Sequence, residues 1–153
     1  MRIAVSTGVL LSSVILLLAP TIASAQDDET LIRLGLRTRA FLEQLAEREV
    51  DDALDNLLTN SPLAHDEQQV AQLKSRVQRG LEQNGQFLRV EPVRVERIGT
   101  SMVRCIYLYH CRDFPIVWRL IYYRPTEELT WNVISLHFGL DYDSLPANGS
   151  ASE

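Results

Sequence analysis

MVRCIYLYHC (Met102–Cys111) and IVWRLIYYR (Ile116–Arg124) are the two runs whose reading decides the fold of this chain. Both are rich in β-branched and aromatic residues, the types that fit a pleated surface. In the first run one face offers Val103, Cys105, Tyr107 and Tyr109. The other offers Met102, Ile106 and Leu108, relieved by Arg104 and His110. The second run repeats the arrangement, with Ile116, Trp118, Leu120 and Tyr122 on one face and Val117, Ile121 and Tyr123 around Arg119 on the other. Strands apolar on both faces belong in the middle of a sheet that is covered on both faces.

Turn signals bound the two runs and set their neighbours. Gly99-Thr100-Ser101 precedes the first, Arg112-Asp113-Phe114-Pro115 separates the pair, and Pro125-Thr126-Glu127-Glu128 follows the second. Asp113 reads as a turn residue, bonded to nearby backbone N–H groups. Upstream, Phe87–Ile98 alternates Val93 and Val95 with Arg94 and Glu96 and predicts an outer strand; downstream, Leu129–Phe138 predicts another. On the last strand Ile134, Leu136 and Phe138 claim the core face, while Trp131, Val133 and His137 share the other if the strand is regular. That conflict calls for a bulge. Connections this short make neighbours antiparallel.

Before residue 87 the period is helical. Acidic and capping residues Asp27–Thr30 mark the start of an amphipathic helix over 28–48 carrying Leu31, Leu34, Phe41, Leu42 and Leu45. A shorter helix has Ala53, Leu54, Leu57 and Leu58 inside and Asp51, Asp52 and Asp55 outside, stopped by Asn60-Ser61-Pro62. Asp66 caps a third, striped by Val70, Leu73, Val77 and Leu81, which ends at Asn84-Gly85. Three helices followed by a four-stranded meander make an α+β domain, with N-terminal helices packed on a curved antiparallel sheet. The helices cover one side of it. A second copy of the same sheet is the simplest cover for the other, so a homodimer is expected.

The first residues carry a different message. Arg2 is followed by an apolar core, Ile3–Ala19, then Pro20 and the small residues Ala23-Ser24-Ala25. This is the layout of a secretory signal cleaved before Gln26. A spanning helix wants roughly 20 apolar residues, and this core is shorter. The division expected is therefore a signal at 1–25, a domain at 26–142 and a flexible tail at 143–153. The product is exported, periplasmic or extracellular, with no stable membrane anchor after cleavage. The chain has 15 basic and 20 acidic residues, and Arg2 is the only charge in the signal, so the mature part carries 14 basic groups and a net charge of −6. That sign excludes nucleic acid as a general partner. Cys105 and Cys111 lie roughly 20 Å apart if both sit on one strand, which keeps them from bridging each other. They read as half-buried thiols, with an intermolecular bridge through Cys111 as the alternative.

The chain resembles the NTF2-like superfamily, the cone-shaped α+β fold of ketosteroid isomerase and the SnoaL-type cyclases. The resemblance rests on Phe41–Leu54, where a long helix passes through an acidic turn into a second helix, and on the meander with Trp118-Arg119-Leu120 and Trp131-Asn132-Val133-Ile134. It implies a sheet wrapped round the long helix, a pocket, and pairing through the sheet. Enzymes of the family use pocket Asp, His and Tyr groups, and His137 and Asp141 are the candidate catalytic residues here; no motif residue matches, so no role carries over. His110 and Asp113 are weaker equivalents. His65, His110 and His137 lack metal-ligand spacing, so neither metal nor cofactor is expected. The aromatic set, Tyr107, Trp118, Tyr122 and Trp131, with Arg104 and Arg119 as polar handles, is the candidate ligand-binding group. Glu96 or a bound carboxylate is expected to balance the arginines. The function expected is non-catalytic binding of a small apolar or anionic ligand or of an envelope protein. A cofactor-free lyase or isomerase is the alternative, and an adaptor docking through the acidic Glu47–Asp55 segment is a third.

Overall fold

The computed structural model describes residues 21–146, with side chains from residue 28 onward. The expected signal core and the last seven residues of the expected tail lie outside the described residues. The first helix, α1, runs Thr21–Ala46. Its start precedes the expected Asp28 because Ala23-Ser24-Ala25-Gln26 contains no breaker, and an acidic residue that could cap a helix is equally tolerated inside one. Helix α2 spans Val50–Leu58, a 3₁₀ turn Pro62–His65 follows, and α3 covers Glu67–Gln83. Asp66 caps α3 as expected, its Oδ1 accepting the Gln69 N–H at 2.9 Å.

Four antiparallel strands complete the chain: β1 Phe87–Ile98, β2 Met102–Cys111, β3 Ile116–Tyr123 and β4 Asn132–Gly139. Their order is β1-β2-β3-β4, so β2 and β3 are central, as the double-faced apolar pattern requires. The protein is α+β, with the helices ahead of an open sheet. The last strand begins three residues later than expected, because Leu129 still belongs to the turn, where its N–H donates to Thr126 O at 3.2 Å.

Register explains which residues face the helices. Cys105 pairs with Leu120, Tyr107 with Trp118 and Val103 with Tyr122, and all six are buried. The expected conflict on β4 is resolved by a register shift after Ile121 that leaves Ile134 as the extra residue. Val133 then stands beside Tyr122, and Leu136 and Phe138 beside Leu120 and Trp118, while His137 pairs with Arg119. Edge strand β1 holds two further shifts, at Leu88 and Val93, and carries Pro92. Bulges bend and twist a strand, and a proline removes a donor, so this edge is a poor template for a stray strand.

Helix α1 closes on the inner face at Gly35. A Cβ there would lie 3.2 Å from Tyr107 Oη and 3.4 Å from Val95, so the glycine lets sheet and helix touch. Tyr107 Oη donates to Gly35 O at 2.8 Å, and Thr38 Oγ1 shares a 3.0 Å bond with Tyr122 Oη. Trp118 is edge-on to Phe41 at 5.5 Å and stacked on Phe138 at 4.8 Å. Aromatic pairs at these separations are favourable beyond their buried area. Buried side chains of α1 and the central strands pack together between helix and sheet.

Candidate functional site

The six residues expected to bind a ligand part into two groups. Tyr107, Trp118, Tyr122 and Trp131 lie in the buried core. Arg104 and Arg119 stand on the opposite face of the sheet, since their strand partners there are Ile121 and Ile106. Arg104 donates from Nε to Glu96 Oε1 at 2.8 Å and also pairs through its terminal nitrogen, with Arg94 on the other carboxylate oxygen at 3.5 Å. Glu96 thus balances Arg104, the partner the sequence suggests. Arg119 reaches Asp141 O at 3.0 Å and Oδ2 at 3.5 Å. His137 and Asp141 are exposed, and His110 bonds Glu91 Oε2 at 2.9 Å. The bond from His110, aided by Arg89, holds the Glu91 carboxyl below its usual range. On the acidic segment of α2, Asp55 is engaged by Lys74 at 2.8 Å, while Asp51 and Asp52 stay exposed. Among the described residues no three His, Cys, Asp or Glu side chains gather as a metal would need.

A cleft with both apolar and polar lining lies elsewhere, at the foot of the β1–β2 hairpin. It measures about 320 Å³ and is lined by Leu45, Val50, Leu81, Phe87 and Tyr109, with Arg48, Gln78, Glu82 and Gln86 among its polar lining. Three local features build it. Helix α1 ends with Glu47 N and Arg48 N bonded to Gln44 O and Leu45 O at 3.1 Å each, which turns the chain and puts Arg48 at φ +67°. A left-handed arginine is strained by about 1 kcal/mol or more and persists only where its surroundings hold it. Helix α3 ends at Gly85, φ +84°, bringing Phe87 against Tyr109 at 4.7 Å between ring centroids. Gln78 donates to Glu82 at 2.7 Å, and Arg48 forms no ion pair within 4 Å among the described residues.

Tyr109 distinguishes this cleft chemically. The other core tyrosines of the sheet spend their hydroxyls on Gly35 O and Thr38 Oγ1, whereas Tyr109 makes no hydrogen bond to a described residue. Burial pushes its phenol up, the neighbouring Cys111 adds to the shift, and Arg48 opposes it. It is therefore a neutral O–H at physiological pH, a donor beside an unpaired guanidinium. The sequence puts Tyr109 on one of the two apolar faces of its strand and Leu81 on the α3 stripe but does not join them. The join depends on the meeting of two chain turns, for which no residue pattern exists.

This is an α+β protein with an amphipathic cleft at one end of its sheet. Comparison with family models, curated proteins and solved structures finds no match to the chain. Among the described residues no helix is long and apolar enough to cross a membrane.

Proposed function

We propose that this chain is an exported, non-catalytic binding module of the NTF2-like type that takes a small apolar molecule bearing an anionic end. The single observation that carries this reading is the hairpin-foot cleft, where Leu45, Val50, Leu81 and Phe87 line the same hollow as Tyr109 and Arg48. Pockets for small molecules have this composition, mostly apolar with few polar groups that fix orientation. The lyase or isomerase alternative needs His137 or Asp141 in an enclosed cavity; both are exposed and neither lines the cleft. The signal-like start at residues 1–25 supports export, which N-terminal sequencing of the secreted product tests by finding Gln26 first.

The test uses anilinonaphthalene sulfonate, an apolar anion whose fluorescence rises on binding. Saturable, one-to-one binding is expected, lost in Leu81→Trp, which fills the cleft. Arg48→Gly is expected to weaken binding by about tenfold while raising stability by about 1 kcal/mol, since glycine relieves the left-handed strain. A purely structural arginine would not separate the two effects. Equal binding by all three proteins overturns the site.

Pairing through the outer sheet face is part of the same proposal. Ile98, Met102, Leu108 and Ile121 are only half-buried there and Tyr123 is exposed, on the side away from α1. Sedimentation is expected to find a dimer that Ile121→Glu converts to monomer. A wild-type monomer at micromolar concentration removes this part and leaves the cleft intact.

A further inference from the structure

A second polar hollow, about 290 Å³, lies at the opposite end of the β1–β2 hairpin from the hairpin-foot cleft. It is lined by Arg97, Thr100, Ser101, Arg124, Thr126 and Glu127. We infer that it binds a small free oxyanion, a carboxylate or a phosphate, through the Arg124 guanidinium and the hydroxyls of the two facing turns.

The two turns are tied together before any ligand arrives. Arg124 N donates to Ser101 O at 2.9 Å, and Arg97 reaches Thr100 O at 3.1 Å. Trp131 then sets the arginines in place. Its ring lies under the Arg124 guanidinium at 4.9 Å and the Arg97 guanidinium at 5.8 Å, while its carbonyl accepts Arg37 at 3.0 Å. A guanidinium over an indole face is held there by attraction to the ring. Arg124 forms no ion pair within 4 Å among the described residues, although Glu127 lines the same hollow. Acidic residues outnumber basic ones in this chain, yet among the described residues none pairs with Arg124 within 4 Å. A guanidinium held over a ring, in a hollow that hydroxyl-bearing residues also line, suits the oxygens of a carboxylate or phosphate. Ordering these groups in advance lowers the cost of binding. The hollow, about 290 Å³ between two turns, has room for a small free anion, and that is the occupant inferred.

The experiment is a titration of ¹⁵N-labelled protein with inorganic phosphate and, separately, with acetate, at constant ionic strength maintained with chloride. Saturable shifts are expected for the amides of Thr100, Ser101, Arg124 and Thr126 and for the indole N–H of Trp131. The anion that saturates first assigns the site as phosphoryl- or carboxyl-directed. Arg124→Gln should lower the affinity about tenfold, Arg124→Lys should restore part of it, and Glu127→Gln should raise it. Arg48→Gly should leave it unchanged, so loss of the first cleft and loss of this site are read separately. Linear, unsaturating shifts with both anions, or shifts centred on other residues, overturn the inference even if the Arg124 variants fail to fold.

Discussion

Gly85 stands at φ +84° where α3 hands over to β1, and a Cβ there would lie 2.7 Å from Asp113 Oδ2. Two separate penalties therefore meet at one position, a backbone conformation that side chains resist and a collision with the β2–β3 turn. Gly85→Ala is expected to cost about 2 kcal/mol, and adding Asp113→Ala should recover the collision but leave about 1 kcal/mol of backbone strain. Urea unfolding of the four proteins in this cycle measures both parts. An alanine at 85 that unfolds with the wild type would refute the geometry. Both residues were legible in the sequence for what they do locally, one as a helix stop and the other as a turn residue. Their contact was not, because Asp113 N reaches Asn84 O at 3.2 Å only after the strands and helices between them have been placed.

Ser61 makes the same point for whole elements. Asn60-Ser61-Pro62 reads as the stop of α2, and it is one. The serine is also fully buried, with its Oγ donating to Val133 O on β4 and accepting Leu63 N at 3.1 Å. It pins the helical layer to the last strand at the point where β4 has just begun. Ser61→Ala should lower stability by about 1–3 kcal/mol, because a buried carbonyl loses its donor. Amide exchange should show the loss concentrated in β4. Uniform loss across the sheet would mean that the bond does not tether that strand in particular. The strands themselves were legible because period-two apolar patterns survive any packing, and even the β4 bulge follows from Leu136 and Phe138 competing with Val133 for one face. Where a strand starts is less legible, since Leu129 and Thr130 have strand composition but sit in a turn. The candidate ligand group misled for a related reason. Aromatic and arginine residues an odd number of positions apart on one strand point to opposite faces, so Arg104 and Tyr107, or Trp118 and Arg119, never share a cavity.

At the scale of the molecule the helices and the sheet meet over a layer of weak acids kept neutral by burial. Burial pushes the Cys105 thiol up to about 11 from 9.0, with a Thr38 hydrogen bond pulling the other way. It pushes the Tyr107 phenol up to about 12 from 10.0 and moves Tyr109 and Tyr122 in the same direction. Below about pH 8 these groups are protonated in both the folded and the unfolded chain and do not bear on the pH dependence. Above it the unfolded chain releases protons that the folded chain keeps, so stability falls as pH rises. Cys105 alone contributes a fall of about 2–3 kcal/mol by pH 11, because each tenfold difference in acidity between the unfolded and folded thiol is worth ~1.4 kcal/mol. The tyrosines extend the fall above pH 10. Urea midpoints should therefore be nearly flat from pH 7 to pH 8.5 and drop steeply beyond pH 9.5, with Cys105→Ala reducing the earlier part of the drop and leaving the share of Cys111, whose thiol burial also raises. Native Cys105 should also resist alkylation at pH 8 and react once the chain is unfolded, because a buried neutral thiol is a poor nucleophile. The outcome bears directly on what lies between α1 and the sheet. A water-filled interior would let Tyr107 and Tyr122 ionise near pH 10 without unfolding, and the midpoints would stay level through that range. A packed interior forbids it.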